Sequence, residues 1–198
     1  MNHFFRVSIV LASLSSSFVF AEDFEDIREI LPEQISSQRI EADIRQLVSY
    51  GTRHTLSETN SDKRGIGAAR RWIENEFNKI SSACDNCLEV IRVSGVVSGK
   101  ERVPRATEVV NILAIQRGSV DPNRMVMMSG DIDSRVSDPM DYTSDSPGAN
   151  DNASGMAGVI EAARVLSKSR FPGTIIYAGL SGEEQGLFGG EIVARHAL

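Results

Sequence analysis

Two aspartates stand two positions apart, and a third closes the long polar loop that follows them. Asp131 and Asp133 alternate across Ile132, so an extended backbone would point both carboxylates to one side. The loop from Asp131 to Asn152 is unusually long for a compact α/β unit, which favours a functional loop over a plain connection. Asp151 lies at the predicted start of a helix, where it could be a metal ligand or simply an N-cap carboxylate.

A pair of adjacent glutamates, Glu183 and Glu184, follows the next predicted strand. Acids in the first turn of a helix also complement the helix dipole, so this pair alone does not indicate a metal. Together with the three aspartates, however, the pair places carboxylates at two strand ends and one helix start. Clusters of oxygen ligands bind hard or borderline divalent cations, and we therefore predict a metal site.

The elements that must position these acids are predicted from hydrophobic periodicity. Strands are predicted at 88–93, 108–115, 124–128 and 174–180, and helices within 23–50 and at 62–80, 153–166 and 187–197. The strand, helix, strand, helix order of the second half implies parallel pairing with helical crossovers. We expect an α/β sandwich with a mixed, largely parallel sheet covered by helices. Ligands of such sheets gather at the carboxyl ends of strands, where the acids stand.

Three segments resemble the successive motifs of the secreted di-zinc aminopeptidases, the leucyl aminopeptidase-like family twenty-eight of the metallopeptidases. The segments are Gly-Asp-Ile-Asp-Ser, Pro-Gly-Ala-Asn-Asp-Asn-Ala-Ser-Gly and Leu-Ser-Gly-Glu-Glu-Gln-Gly-Leu-Phe-Gly, and their order and approximate spacing agree with the family. The resemblance covers roughly residues 40–198. It implies a three-layer sandwich of zinc-exopeptidase type that is incomplete at the C-terminus, because the family's last two ligands, an aspartate and a histidine, lie further downstream.

The resemblance implies a role for each acid of the last two motifs. Asp151 corresponds to the aspartate that bridges two zinc ions, Glu183 to the general base, and Glu184 to a ligand of one metal. The implied reaction is removal of N-terminal residues from peptides with free N-termini by a metal-activated water. The alternatives are a catalytically impaired relative that binds peptide or metal, and a glutaminyl cyclase or carboxypeptidase on the same fold.

The first motif departs from the family's pattern at one position. Asp131 stands where the family normally has a histidine ligand, and Asp133 matches the aspartate that ordinarily orients that histidine. We expect Asp131 to remain a metal ligand and group Asp133 with the catalytic residues, although its usual tuning partner is missing. An oxygen ligand in place of imidazole tilts the preference from zinc toward manganese, magnesium or calcium. We therefore expect an altered metal preference or reduced peptidase activity.

The N-terminus predicts an exported protein. Arg6 precedes an apolar run from Val7 to Phe20, and small residues precede an expected cleavage before Glu22. The run is too short and too rich in serine to span a bilayer comfortably, so we expect a signal peptide at residues 1–21 and no stable membrane insertion. A retained N-terminal anchor is the alternative. The expected location is secreted or periplasmic.

Composition restricts the partners and the cysteine chemistry. The chain has 21 Lys and Arg against 27 Asp and Glu; loss of Arg6 with the signal peptide leaves 20 against 27, a net charge of −7. Because charges are also interspersed, we expect no nucleic-acid partner. Residues 22–198 suffice for one domain and are assigned to the N-terminal portion of a metallopeptidase catalytic domain. In an oxidising compartment Cys84 and Cys87 are expected to form a small disulfide, with a redox-active pair as the alternative.

Overall fold

Two helices, three strands, a helix, a strand and a last helix follow one another along residues 29–197, which are the residues that the computed structural model describes. The helices are α1 (Ser37–Val48), α2 (Gly65–Ala83), α3 (Gly155–Leu166) and α4 (Phe188–Ala197), and the strands are β1 (Leu88–Val97), β2 (Thr107–Gln116), β3 (Asp121–Asp131) and β4 (Gly173–Leu180). The predicted signal peptide lies outside the described residues. Among the described helices, none is long and apolar enough to cross a membrane.

The helical spacing of apolar residues in the sequence corresponds to real buried faces. In α2 the buried positions include Ile66, Ile73, Phe77 and Ile80, which recur every three to seven residues along one side. Helix α1 begins at an N-cap, Ser36, whose side chain accepts a hydrogen bond from a backbone N–H of the first turn. Both predicted amphipathic helices are therefore confirmed, although α2 lies three residues later than predicted and α1 occupies only Ser37–Val48 of the predicted region 23–50.

The sheet is mixed and has the strand order β1-β2-β4-β3. Strands β3 and β4 are parallel and are joined through α3, as the strand–helix–strand order predicts. Strand β2 runs antiparallel to both β1 and β4. The expectation of a largely parallel sheet therefore holds only for β3 and β4 among the described strands. The short loop between β1 and β2 allows only an antiparallel pair, because a parallel pair needs a long crossover.

Successive residues of β2 point into two different cores and so define three layers. Ile112 and Ala114 belong to the core formed with α1, α2 and α3 on one face of the sheet. Leu113 and Ile115 belong to a smaller core on the other face, where Val193 of α4 packs. This alternation is the period-two pattern of a strand that is covered on both sides. The predicted α/β sandwich covered by helices is confirmed.

The register between β3 and β4 brings their carboxyl ends together. Asp131, the last residue of β3, is paired with Leu180, the last residue of β4. The backbone N–H of Ile132 then donates to the Leu180 carbonyl at 2.6 Å, which extends the pairing by one residue. The two acid-bearing segments that follow these strands therefore leave the sheet side by side.

Strand β3 forms an edge of the described sheet although residues 125–128 in its middle are all apolar. Met125, Val126, Met127 and Met128 are all exposed, Val126 to 61%. A near-continuous apolar run is typical of a parallel strand that is covered on both faces. Edge strands are normally protected by charges or proline instead. We therefore expect this edge to associate with other chains when residues 22–198 are produced alone.

A lysine on this edge is expected to reduce that association. Val126→Lys places a charge on the exposed part of β3 and should lower the aggregated fraction in static light scattering. Val120→Lys is the matched control, because Val120 is 66% exposed and lies just before the strand. Equal effects of the two substitutions would show that the edge of β3 is not the associating surface.

Candidate metal and catalytic site

Asp133 is buried two residues after the end of β3, and its carboxylate accepts hydrogen bonds from the backbone of the glutamate pair. One carboxylate oxygen of Asp133 accepts the Glu183 N–H at 3.3 Å, and the other accepts the Glu184 N–H at 3.2 Å and the Thr55 hydroxyl at 2.9 Å. Burial raises the pKa of Asp133, while these hydrogen bonds oppose the increase. These hydrogen bonds give Asp133 a structural role that does not depend on a histidine at position 131. Because it is only 1% exposed, this function is positioning and not contact with substrate.

The Glu183–Glu184 pair lies in a turn and does not open the following helix, contrary to the expectation from sequence. Helix α4 begins only at Phe188. Gly182 has φ +75° and Leu187 has φ +62°, both left-handed conformations that interrupt a helix. The Leu187 N–H closes the turn by donating to the Glu183 carbonyl at 3.0 Å. The turn leaves the N–H groups of both glutamates available to Asp133.

Asp151 lies in an irregular turn, Ala149–Ser154, that precedes α3. Its backbone is extended (φ −115°, ψ 101°), and Asn152 also departs from helical geometry. The helix N-cap is Ser154, so Asp151 is not an N-cap carboxylate. The Asn152 side-chain amide donates to Asp131 at 3.3 Å. The turn therefore presents an exposed Asp151 and links its neighbour to the end of β3.

The acids of the three segments influence one another electrostatically. Burial raises the pKa of Asp131 to about 6, and the neighbouring charges of Asp133, Glu183, Asp151 and Glu184 add to the increase. Burial also raises the pKa of Glu183, followed by the same repulsion from Glu184, Asp133 and Asp151. Carboxylates that raise one another's pKa in this way lack sufficient positive charge around them. A divalent cation would supply that charge.

The acid side chains have the ligand type and the charge that a divalent cation requires, but they are not arranged around a common centre. Glu184 accepts a hydrogen bond from Arg135 at 2.6 Å. Across residues 29–197, no three His, Cys, Asp or Glu side chains are close enough to enclose a metal ion. Asp131, Asp151 and Glu184 supply oxygen ligands suited to a divalent cation. They are the side chains in this part of the chain that would hold such an ion.

Arg53 supports the loop that joins Asp133 to Asp151, and sequence analysis missed it. The side chain is buried and donates to the carbonyls of Ile132 at 2.8 Å, Pro147 at 2.7 Å and Gly148 at 3.0 Å. It also donates to Leu47 at the end of α1 at 3.2 Å. Burial lowers the pKa of Arg53 to about 10, so it remains charged at neutral pH. Its partners are backbone carbonyls of distant segments, which no sequence pattern reveals.

Neither described histidine is placed as an evident ligand. His54 is fully buried; its Nδ1 accepts the Leu56 N–H at 3.0 Å and its Nε2 lies 3.0 Å from the Pro139 carbonyl. His196 is exposed in the last turn of α4. These positions agree with a loop histidine and a surface histidine. The described part of the site is therefore built from oxygen ligands.

Cys84 and Cys87 are joined as a disulfide at the connection between α2 and β1. Asp85 and Asn86 between them both have positive φ, at 56° and 60°. Short polar residues tolerate this conformation better than most others, so the tight turn is compatible with its sequence. The bridge lies at the opposite ends of the strands from the acids and has no part in the site.

Relatives of known name match most of this chain. A protein of Leptosphaeria maculans named "Probable zinc metalloprotease" is 48% identical over 170 residues, which cover 86% of this chain and 39% of that protein. A protein of Pyricularia oryzae with the same name is 42% identical over 163 residues, or 82% of this chain and 32% of that protein. The chain therefore spans less than half the length of these relatives.

Solved structures match the fold. The Legionella pneumophila LapA aminopeptidase superposes with a TM-score of 0.64 at 20% identity, covering 96% of this chain and 45% of that one. The Fimbriiglobus ruber glutaminyl cyclase superposes with a TM-score of 0.63 at 18% identity, covering 82% and 55%. At such identities the likeness concerns the fold, and the predicted zinc-exopeptidase type is confirmed.

The family assignment rests on the region that carries all three acid motifs. Residues 111–197 match the model of Peptidase family M28. This region begins in β2 and includes β3, the long loop, α3, β4 and the glutamate turn. Together with relatives named as zinc metalloproteases, this match shows that the chain belongs to peptidase family M28.

Proposed function

We propose that the protein containing this chain is an aminopeptidase that uses two divalent metal ions. The observation that carries the proposal is the meeting of the acid segments at the ends of β3 and β4, where Asp133 accepts the backbone N–H groups of Glu183 and Glu184. There burial, followed by repulsion from the neighbouring acids, raises the pKa of Asp131 to about 6. Zinc is the expected metal from the names of the relatives. The order of the three acid motifs supports the same reading. Peptides with free N-termini are the proposed substrates.

Asp131, Asp151 and Glu184 are the proposed metal ligands within this chain. When bound, the metal ions would lower the pKa of a water and polarise the peptide carbonyl. Arg135 donates to Glu184 at 2.6 Å and so offsets the charge of that carboxylate. The Asn152 amide, 3.3 Å from Asp131, keeps that carboxylate close to the turn of Asp151. These contacts therefore restrain the side chains of two of the proposed metal ligands, Glu184 and Asp131.

Glu183 is the proposed general base. Its raised pKa suits a group that must take a proton from the attacking water and then release it to the leaving amine. The backbone N–H of Glu183 is fixed by Asp133, so the side chain projects from an anchored turn. Asp133 acts on the reaction only through this anchor.

We also propose that residues 1–21 direct the protein to a secreted or periplasmic location.

Product analysis tests the proposed activity. The full-length protein, loaded with zinc, is incubated with one peptide in free and N-acetylated forms, and products are identified by mass spectrometry. Loss of the N-terminal residue from the free form alone is the expected result, because an aminopeptidase requires the free amine. Shortening from the C-terminus, or cyclisation of an N-terminal glutamine, would replace the proposal with a carboxypeptidase or a glutaminyl cyclase. An unchanged peptide would indicate an impaired, binding-only relative.

Asp131→His is expected to shift the metal preference toward zinc. Imidazole is a softer ligand than carboxylate, and the change also removes one negative charge from the site. We expect zinc to be retained about tenfold more tightly relative to manganese, measured by competitive dialysis and metal analysis. Asp121→His, at the far end of β3, serves as the control. Equal zinc retention and turnover in the wild type and Asp131→His would refute this prediction.

A further inference from the structure

A cavity rich in arginine lies behind Asp133, between the loop that follows α1, helix α2 and the first residues of β2. Its lining includes Thr55, whose hydroxyl also donates to Asp133. The charged side chains that line it are Arg70, Arg71, Arg92, Arg105 and Glu108. Arg71 and Arg92 also pair with acids outside the lining, so the excess positive charge of the cavity comes mainly from Arg70 and Arg105. The cavity adjoins β1 and β2 and not β3, so it lies away from the exposed apolar edge.

Arg70 is the buried cation of this cavity and is poorly bonded. It is only 7% exposed, and its single side-chain hydrogen bond within residues 29–197 is a long one of 3.4 Å from Nε to the Ser181 hydroxyl. Its Nη2 is buried without a partner in the same part of the chain. Burial lowers the pKa of Arg70 to about 10, so the guanidinium is charged at neutral pH. A buried charge with unused donors is costly unless a ligand pairs with it.

The carboxylates between residues 29 and 197 do not pair with Arg70. The charge of Asp133 opposes the lowering of the Arg70 pKa, but the oxygens of Asp133 already accept hydrogen bonds from Thr55 and from the glutamate turn. Glu108 is exposed and accepts from the Ser94 hydroxyl. Neither is hydrogen-bonded to Arg70 within the described chain. The donors of Arg70 therefore remain available for a ligand.

The other three arginines of the cavity differ in whether they already form an ion pair with a carboxylate. Arg92 pairs with Glu74 and Arg71 pairs with Asp62. Arg105 donates one hydrogen bond to the Leu56 carbonyl at 3.0 Å and lies over the Tyr142 ring at 5.0 Å. Arg105 has no carboxylate partner among the ion pairs of the described residues. Arg105 is therefore the second arginine of the cavity whose charge is available to pair with a ligand.

We propose that this cavity binds an oxyanion, with Arg70 as the buried anchor and Arg105 as the second cation at its rim. A planar guanidinium recognises carboxylate and phosphate oxygens through paired hydrogen bonds. Two sources share this chemistry: a small free anion, and an acidic side chain of a bound peptide. The peptide source rests on the proposed aminopeptidase function, whereas binding of a free anion does not.

Thermal unfolding of the full-length protein tests binding directly. Inorganic phosphate replaces chloride at constant ionic strength, and the wild type is expected to unfold about 1–3 °C higher. The shift should disappear in Arg70→Gln and Arg105→Gln and persist in Arg117→Gln, an exposed arginine outside the cavity. No shift in the wild type, or a shift that survives in Arg105→Gln, overturns the proposal. Arg105→Gln decides the result if Arg70→Gln fails to fold.

A peptide comparison distinguishes the two sources. The kcat/KM for Leu-Glu-Ala is divided by that for the isosteric Leu-Gln-Ala, in the wild type and in Arg105→Gln. A ratio about tenfold higher in the wild type would assign the cavity to an acidic side chain of the substrate. Equal ratios, with the phosphate shift present, would assign it to a free anion. If neither peptide is cleaved, the proposed function fails while the phosphate result still decides the cavity.

Discussion

Glu183→Gln in the full-length protein is expected to lower kcat by about 10²- to 10⁴-fold with little change in KM. Glutamine preserves the shape of the side chain but cannot take a proton from water. The backbone N–H that Asp133 holds is unaffected, so the turn should stay in place. Stability should change by less than about 0.5 kcal/mol in denaturant unfolding. Steady-state kinetics on a peptide with a free N-terminus provides the measurement.

Glu191→Gln is the matched control for this substitution. Glu191 is an exposed acid on α4 that pairs with Arg195 one turn later, away from the acid segments. Its replacement should leave kcat within about twofold, because exposed ion pairs of this kind contribute little. If Glu183→Gln and Glu191→Gln retain similar activity, Glu183 is not the base and the assignment of the glutamate pair must be revised.

Arg53→Met is expected to reduce the free energy of unfolding by about 2–4 kcal/mol. Methionine fills much of the same volume but leaves buried backbone carbonyls without donors, including those of Ile132 and Pro147. Removing the buried charge offsets only part of this loss, since several acceptors lose their partner together. The same change releases the loop that carries Asp151, so metal content should fall with stability. Denaturant unfolding and metal analysis measure the two effects.

Arg64→Met tests whether the large loss of stability expected for Arg53→Met is due to the burial of Arg53. Arg64 also holds the loop, through Asp145 at 2.6 Å and the Thr143 carbonyl at 2.8 Å, but its side chain is exposed. An exposed pair contributes at most about 1 kcal/mol. Comparable losses from the two substitutions would contradict the central place given to Arg53 in holding the loop.

Local pattern was enough to predict the elements and the meeting of the acids. The spacing of Ile66, Ile73 and Phe77 predicts the buried face of α2, because helical period and burial coincide there. The position of Asp131 at the end of one strand and of Glu183 after the next predicts their proximity, because parallel strands share an edge. These features depend on neighbours in sequence or on one simple rule of topology.

The supporting contacts could not be predicted because they join segments far apart in the chain. Thr55 reaches Asp133 across 78 residues, and Arg135 reaches Glu184 across 49. The sequence pattern places the glutamate pair in a first helical turn, whereas left-handed backbone at Gly182 and Leu187, which hydrophobic periodicity does not reveal, keeps the pair in a separate turn before α4. Sequence therefore indicates which acids take part, whereas the folded chain shows what holds them.

Metal analysis of the full-length protein tests the central claim most directly, since the acids are proposed to gather around metal ions. About two divalent ions per chain are expected in the wild type after loading with zinc and desalting. Asp151→Asn should retain far less metal, because it removes the carboxylate proposed to bridge the two ions. Asp145→Asn, an exposed acid of the same loop, should retain the full amount. Metal-free wild type, or equal metal content in all three proteins, would contradict the account.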